Sequence, residues 1–115
     1  MKDIPFKISS WRDDPHWMVK RFLNYVYEQN VLIDALDQIT QRHGFDYNLE
    51  FCFFPDRNNP NPIYHFEGVT FGICDDEVII TEAECWKYVR EVAAFYIARN
   101  KADAATVTMI LKRIA

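Results

Sequence analysis

The chain has 115 residues, 50% hydrophobic, 16% aromatic and 26% charged, with a formal net charge of −4. This is a globular profile, not a disordered one. Its length fits one domain, 1–115, that can bury a core without disulfide or metal staples. The acidic balance and the lack of a basic stripe argue against direct nucleic-acid binding and suit a partner that is itself basic.

Residues 1–13 read as an extended lead-in. Pro5 and Ser9–Ser10 disfavour a helix, while Phe6, Ile8 and Trp11 can pin the segment to a core. Asp14–Pro15 is a helix start, with an N-cap carboxylate followed by proline at the first helical position. Met18, Phe22, Tyr25, Val26, Leu32, Ile33, Leu36 and Ile39 then keep helical spacing to about Arg42, and Gly44 offers a stop. Glu28–Gln29–Asn30 interrupts the apolar face, so one long helix over 15–42 or two helices meeting near Asn30 both fit.

From Asn48 to Phe54 the residues alternate. Leu49, Phe51 and Phe53 point one way, and Glu50, Cys52 and Phe54 the other. PDRNNPNP at 55–62 holds no apolar side chain other than its prolines and reads as a long exposed connection. Ile63 to Cys74 is a second strand in which Tyr64 and Phe66 are out of phase with Val69, Phe71 and Ile73. A bulge at Gly68 is expected to absorb the phase change and send His65 and Glu67 to the far face. Asp75–Asp76 makes a turn, and Glu77 to Ile80 is a third strand.

Thr81-Glu-Ala-Glu84 is a capping box that opens a helix running to about Arg99. Trp86, Val89, Ala93, Tyr96 and Ile97 form its stripe. Asp103 can cap a last helix with Val107, Ile110, Leu111 and Ile114 inside. The expected fold is α+β: a small antiparallel three-stranded sheet (48–54, 63–74, 77–80) flanked by the N-terminal helix or helix pair and by two C-terminal helices. Its aromatic face should pack on the helices.

Cys52, Cys74 and Cys85 form no CxxC pair and lie in apolar runs, which reads as reduced, buried thiols. No stretch approaches ~18 consecutive apolar residues, and the N-terminus lacks an apolar signal core, so a cytoplasmic protein without a membrane partner is expected. His65-Phe-Glu67 echoes half of a zinc-deaminase signature, but the Pro-Cys-x-x-Cys half is missing, and a surface pair beside Glu50 fits better. The acid pairs Asp13–Asp14, Asp34–Asp37 and Asp75–Asp76 match no calcium loop. Trp11, His16 and Trp17 flank the first cap. They can form an aromatic patch, though packing over the helix end is the plainer role. Asp75, Asp76, Glu77, Glu82 and Glu84 place five carboxylates within ten residues. The helix dipole accounts for Glu82 and Glu84, and a cationic partner would account for the others.

Five ordered segments carry a family resemblance: WRDDPHWMVKRFLN (11–24), EQNVLIDALD (28–37), FDYNLEFCFFPD (45–56), NPNPIYHFEGV (59–69) and DEVIITEAECW (76–86). Together they cover most of the chain. It resembles the cytoplasmic immunity proteins of bacterial contact-dependent growth inhibition systems, in the branch paired with ribonuclease toxins. The resemblance implies a non-enzymatic inhibitor without a cofactor, which binds the C-terminal domain of its cognate toxin, a basic ribonuclease, and blocks its RNA-cleaving site; a monomer forming a 1:1 complex is the expected assembly, which the residues themselves do not reveal. It supplies no catalytic motif. The expected toxin contacts therefore rest on charge and exposure: Glu50, Asp56, Tyr64, Glu67, Asp75, Asp76, Glu77, Glu82 and Glu84. The alternatives are a small metal-dependent hydrolase using His65 and Glu67, and a generic interaction domain.

Overall fold

Asn30 divides the N-terminal helical region in two. In a computed structural model describing residues 3–8 and 10–115, Asn30 adopts φ +61° between α1 (Trp17–Glu28) and α2 (Leu32–Ile39). The Asn30 N–H donates to Tyr27 O (3.2 Å) and the Val31 N–H to Val26 O (3.0 Å). This is the Schellman pattern, which satisfies the last carbonyls of α1 and turns the chain. Asparagine tolerates the left-handed region better than most L-residues. A second such ending closes α2. There Arg42, at φ +62°, takes the left-handed position expected of Gly44, with the His43 N–H on Gln38 O (3.0 Å). Gly44 serves close approach instead: a β-carbon there would lie 3.2 Å from Cys52 O.

The lead-in is pinned through a buried polar clamp. Asn24 on α1 accepts the Phe6 N–H at 2.9 Å and donates to the Phe6 carbonyl at 2.8 Å, so one amide satisfies both main-chain groups of a buried residue. Met1, Lys2 and Ser9 of the expected lead-in lie outside the described residues. The helix start expected at Asp14–Pro15 falls later: α1 begins at Trp17 behind His16, which makes no side-chain cap, and the Asp14 carboxylate just ahead of it accepts the His16 N–H (2.9 Å) and Lys20 Nζ (2.6 Å).

The sheet has four antiparallel strands in the order β1 (Phe45–Tyr47), β2 (Glu50–Phe53), β3 (Val69–Ile73) and β4 (Asp76–Ile80). This corrects the three-stranded expectation. Asn48 takes φ +57° and turns the chain with Leu49, so the run 45–54 is a hairpin instead of one strand beginning at Asn48. The second strand is also shorter than expected. Ile63 and Tyr64 belong to a 3-10 turn (Pro62–Tyr64) capped by Asn61, and regular pairing begins at Val69. Gly68 therefore lies just outside β3 and not at a bulge within it. Its φ is +96°, and an added β-carbon would meet Ile80 O at 2.3 Å.

Register fixes which side chains share a face. Cys52 pairs with Phe71, Phe71 with Val78, and Val69 with Ile80, and this set faces the helices. Phe22 of α1 meets Phe71 edge-on at 5.5 Å. The capping box forms as expected: Thr81 accepts the Glu84 N–H (3.0 Å) and Glu84 accepts the Thr81 N–H (2.9 Å), opening α3 (Glu82–Arg99). Val89, Val92 and Ala93 of α3 and Val107 and Ile110 of α4 (Ala104–Leu111) complete the core. Asp103 makes no side-chain cap for α4. Its carboxylate accepts the Tyr96 hydroxyl at 2.6 Å instead. No helix among the described residues is long and apolar enough to cross a membrane.

Candidate functional site

The helices cover one face of the sheet, and the other face keeps its aromatic residues. Phe51 and Phe53 project outward from β2 and stack at 4.8 Å. Gly72 on β3 makes this possible, since a β-carbon there would overlap the Phe51 ring at 2.2 Å. The turn at Pro62–Tyr64 brings the Tyr64 ring against Phe53 at 6.2 Å. Between them runs a groove of about 390 Å³, bordered by Ile63, Phe66, Glu77 and Ile79. Ile63 is 69% exposed and Ile79 50%. An exposed aromatic groove rimmed by polar groups is how protein-binding surfaces differ from ordinary surface.

The expected contact residues fall in five places. Glu77 borders the groove, and Tyr64 leans into it. Asp56 and Glu67 are exposed on the connection that carries Tyr64. Asp56 caps that loop by accepting the Asn58 N–H (3.1 Å), and Glu67 lies 3.6 Å from Arg57. Asp75 and Asp76 are exposed at the β3–β4 turn.

Glu82 and Glu84 work inside the fold. Glu82 pairs with Arg42, and Glu84 closes the capping box and sits 3.6 Å from His16 Nε2. Hydrogen bonding from Thr81 holds the Glu84 carboxyl below the usual glutamate range.

Glu50 stands apart. It shares the helix-facing side with Cys52 and is only 5% exposed, so it lies on the face opposite Phe51 and Glu77. The face assignment expected for β2 is thus reversed: the Glu50–Cys52–Phe54 set is buried, and Leu49 is 66% exposed. The cause is β3, whose wholly apolar set Val69, Phe71 and Ile73 must face the core and carries its partners with it.

Glu50 borders a cavity of about 540 Å³ between the lead-in and α1, walled by Trp11, Trp17, Tyr25, Arg21 and Glu28. Trp11 and Trp17 meet edge-on at 5.6 Å. Burial lifts the Glu50 carboxyl above the usual glutamate range, and the Arg21 guanidinium, with Nε 3.7 Å from Oε1, pulls only partly against it. Local pattern does not mark these residues as one site. The one signal is a carboxylate on the same parity as Cys52 and Phe54.

His65 and Glu67 do not act as a pair. The Nε2 of His65 bonds to Asn59 O at 2.6 Å, whereas Glu67 faces Arg57. Among the described residues, no three His, Cys, Asp or Glu side chains converge as a metal site. All three cysteines are free, and of them Cys74 alone departs from the buried position expected. Cys52 and Cys85 are buried, with thiols pushed up by desolvation, Cys85 to about 12, but Cys74 is exposed in the β3–β4 turn at φ +55°.

The sequence pattern of the CDI (contact-dependent growth inhibition) immunity proteins matches residues 15–111, which takes in α1 to α4 and all four strands of the sheet. The chain belongs to the CDI immunity protein family. No curated protein matches it. Membership gives the protein a role in immunity to a toxin, exercised by binding, in a family whose members are generally not enzymes. For a CDI immunity protein the surfaces of interest are those that can receive a protein, and the open sheet face has the composition of one.

Proposed function

We propose that this CDI immunity protein acts in the cytoplasm as a monomer. It would bind the C-terminal ribonuclease domain of its cognate toxin in a 1:1 complex and cover that domain's RNA-binding surface. The observation that carries the reading is the outer sheet face, an aromatic groove bordered by Glu77, with Asp56 and Glu67 exposed on the loop that carries Tyr64 and Asp75 and Asp76 exposed at the β3–β4 turn. A ribonuclease must present cationic groups to hold phosphates, so a carboxylate-rimmed surface can compete for the same groups. Opposite fields also speed encounter, which matters for an inhibitor that must outrun turnover. Tyr64 and the Phe51–Phe53 stack supply the apolar anchors, while the carboxylates steer and orient.

The test is co-expression with the C-terminal domain of the large toxin encoded beside this gene, scoring survival, RNA integrity and co-purification. The wild-type chain protects and co-purifies. Reversing Asp75, Asp76 and Glu77 to lysine together slows association by about tenfold at moderate salt. If the folded triple variant associates as fast and protects as well, the partner does not approach this rim.

A further inference from the structure

Glu50 is a carboxylate that the fold buries without completing. Its side chain is 6% exposed, and Oε1 has no hydrogen-bond partner among the described residues. The nearest cation is Arg21, whose Nε stands 3.7 Å away, beyond hydrogen-bond reach, on a side chain that is 56% exposed. A buried carboxylate left in this state destabilises the fold, and substitution by a neutral residue would remove that cost. What it gains is a place on the wall of the cavity beside α1.

The rest of that wall suits a cation. Trp11, Trp17 and Tyr25 present π-systems, and Glu28 adds a second, exposed carboxylate. The Trp11 ring already has the Arg12 guanidinium 5.6 Å from its centroid. The cavity volume, about 540 Å³, is ample for one long side chain.

Register places the cavity at the acidic end of the sheet. Glu50 pairs with Ile73, and Ile73 with Asp76, so Glu50 and Asp76 occupy one cross-strand row, two strands or about 10 Å apart. The hairpin turns at Asn48–Leu49 and Cys74–Asp75 also meet there, joined by the Cys74 N–H on Leu49 O at 2.9 Å. A partner drawn to Asp75 and Asp76 therefore arrives beside the cavity.

We propose that the Glu50 cavity receives one basic side chain, arginine or lysine, from the toxin domain, its charge on Glu50 and its stem between Trp11, Trp17 and Tyr25. The inference rests on the proposed function for the identity of the partner alone. It makes Glu50 a binding residue kept at the expense of stability, and it gives the complex a desolvated anchor at one end of the sheet.

Two measurements on the full chain test it. In the first, the amide spectrum and the Trp indole signals are followed with N-acetyl-arginine amide and N-acetyl-lysine amide, against neutral N-acetyl-citrulline amide, up to about 100 mM. At least one basic amide shifts the Trp11 or Trp17 signals saturably, and citrulline does not. Glu50→Gln abolishes the response while raising the unfolding midpoint. Equal response to citrulline, no response to either basic amide, or a response that survives Glu50→Gln overturns the site.

In the second, the toxin domain is titrated with wild type, Glu50→Gln and Trp11→Ala. Each variant weakens binding by about tenfold or more. If a basic amide binds but both variants hold the toxin as wild type does, the toxin does not use the cavity and the proposal fails. If wild type does not bind the toxin at all, the proposed function fails, and with it the partner named here. The amide titration still reports separately whether the cavity takes a cation.

Discussion

The ring of Phe51 lies across the backbone of Gly72, its cross-strand partner on the outer face of the sheet. A β-carbon at Gly72 would come within 2.2 Å of Phe51 Cζ and 2.6 Å of Asp76 O, so the ring would have to leave and the strand to shift. Gly72→Ala should cost about 1–3 kcal/mol, read from the urea midpoint, in line with overpacking elsewhere. It should also break the Phe51–Phe53 stack and weaken toxin binding beyond what the stability loss explains. An unchanged midpoint would mean that the ring does not need the glycine.

Asn24 closes both main-chain groups of Phe6 from the middle of α1. Asn24→Ala leaves a buried N–H and a buried carbonyl unpaired, an expected loss of about 1–3 kcal/mol. Hydrogen exchange locates the effect: the Phe6 amide should lose its protection, while amides in β3 keep theirs relative to the global unfolding rate. The cavity beside α1 depends on this clamp, because Ile8 and Trp11 on its wall follow directly from Phe6.

Glu50 gives the stability curve a sign. Burial raises its carboxyl pKa in the folded state above the unfolded glutamate value. Its contribution is therefore most favourable below the unfolded value, about 4.3, and is lost as pH rises through the folded value. Glu50→Gln should match wild type in acid and exceed it at neutral pH by about 1–3 kcal/mol, the scale of one unsatisfied buried group. Denaturation midpoints measured at a series of pH values decide it. Equal midpoints throughout would mean that Glu50 is fully satisfied.

The three thiols should react unequally. Cys52 and Cys85 are buried and their pKa values raised, Cys85 to about 12, so the thiolate is scarce in both. Cys74 is exposed at a turn. A chromogenic disulfide reagent at pH 8 should titrate one thiol quickly in the native protein and all three in denaturant. Cys74→Ser should abolish the fast phase. Two fast thiols would show that one of the buried sulfurs opens to solvent.

Much of the architecture is legible in the sequence, because it depends on neighbours a few residues apart. The capping box at Thr81 and Glu84 forms with the residues that the spacing indicates. The helical runs keep their 3.6-residue period, and the break at Asn30 lies where the apolar stripe lapses. The family membership likewise follows from the ordered segments of the chain alone. What the sequence left undecided, or suggested wrongly, depends on pairings across the chain. Asn48–Leu49 carries a weak turn signal, and it becomes a turn because Tyr47 can pair back onto Glu50.

The face of β2 could not be read from β2 itself. Leu49, Phe51 and Phe53 are the more apolar parity, yet Cys52 must sit opposite Phe71, whose ring is committed to Phe22. That one pairing sends Phe51 and Phe53 outward to form the groove and turns Glu50 inward to the cavity. Side-chain period and helix caps are local properties, so the residue order determines them. Which side of an alternating strand meets the core is decided by its partner strand, and only the tertiary structure supplies that partner.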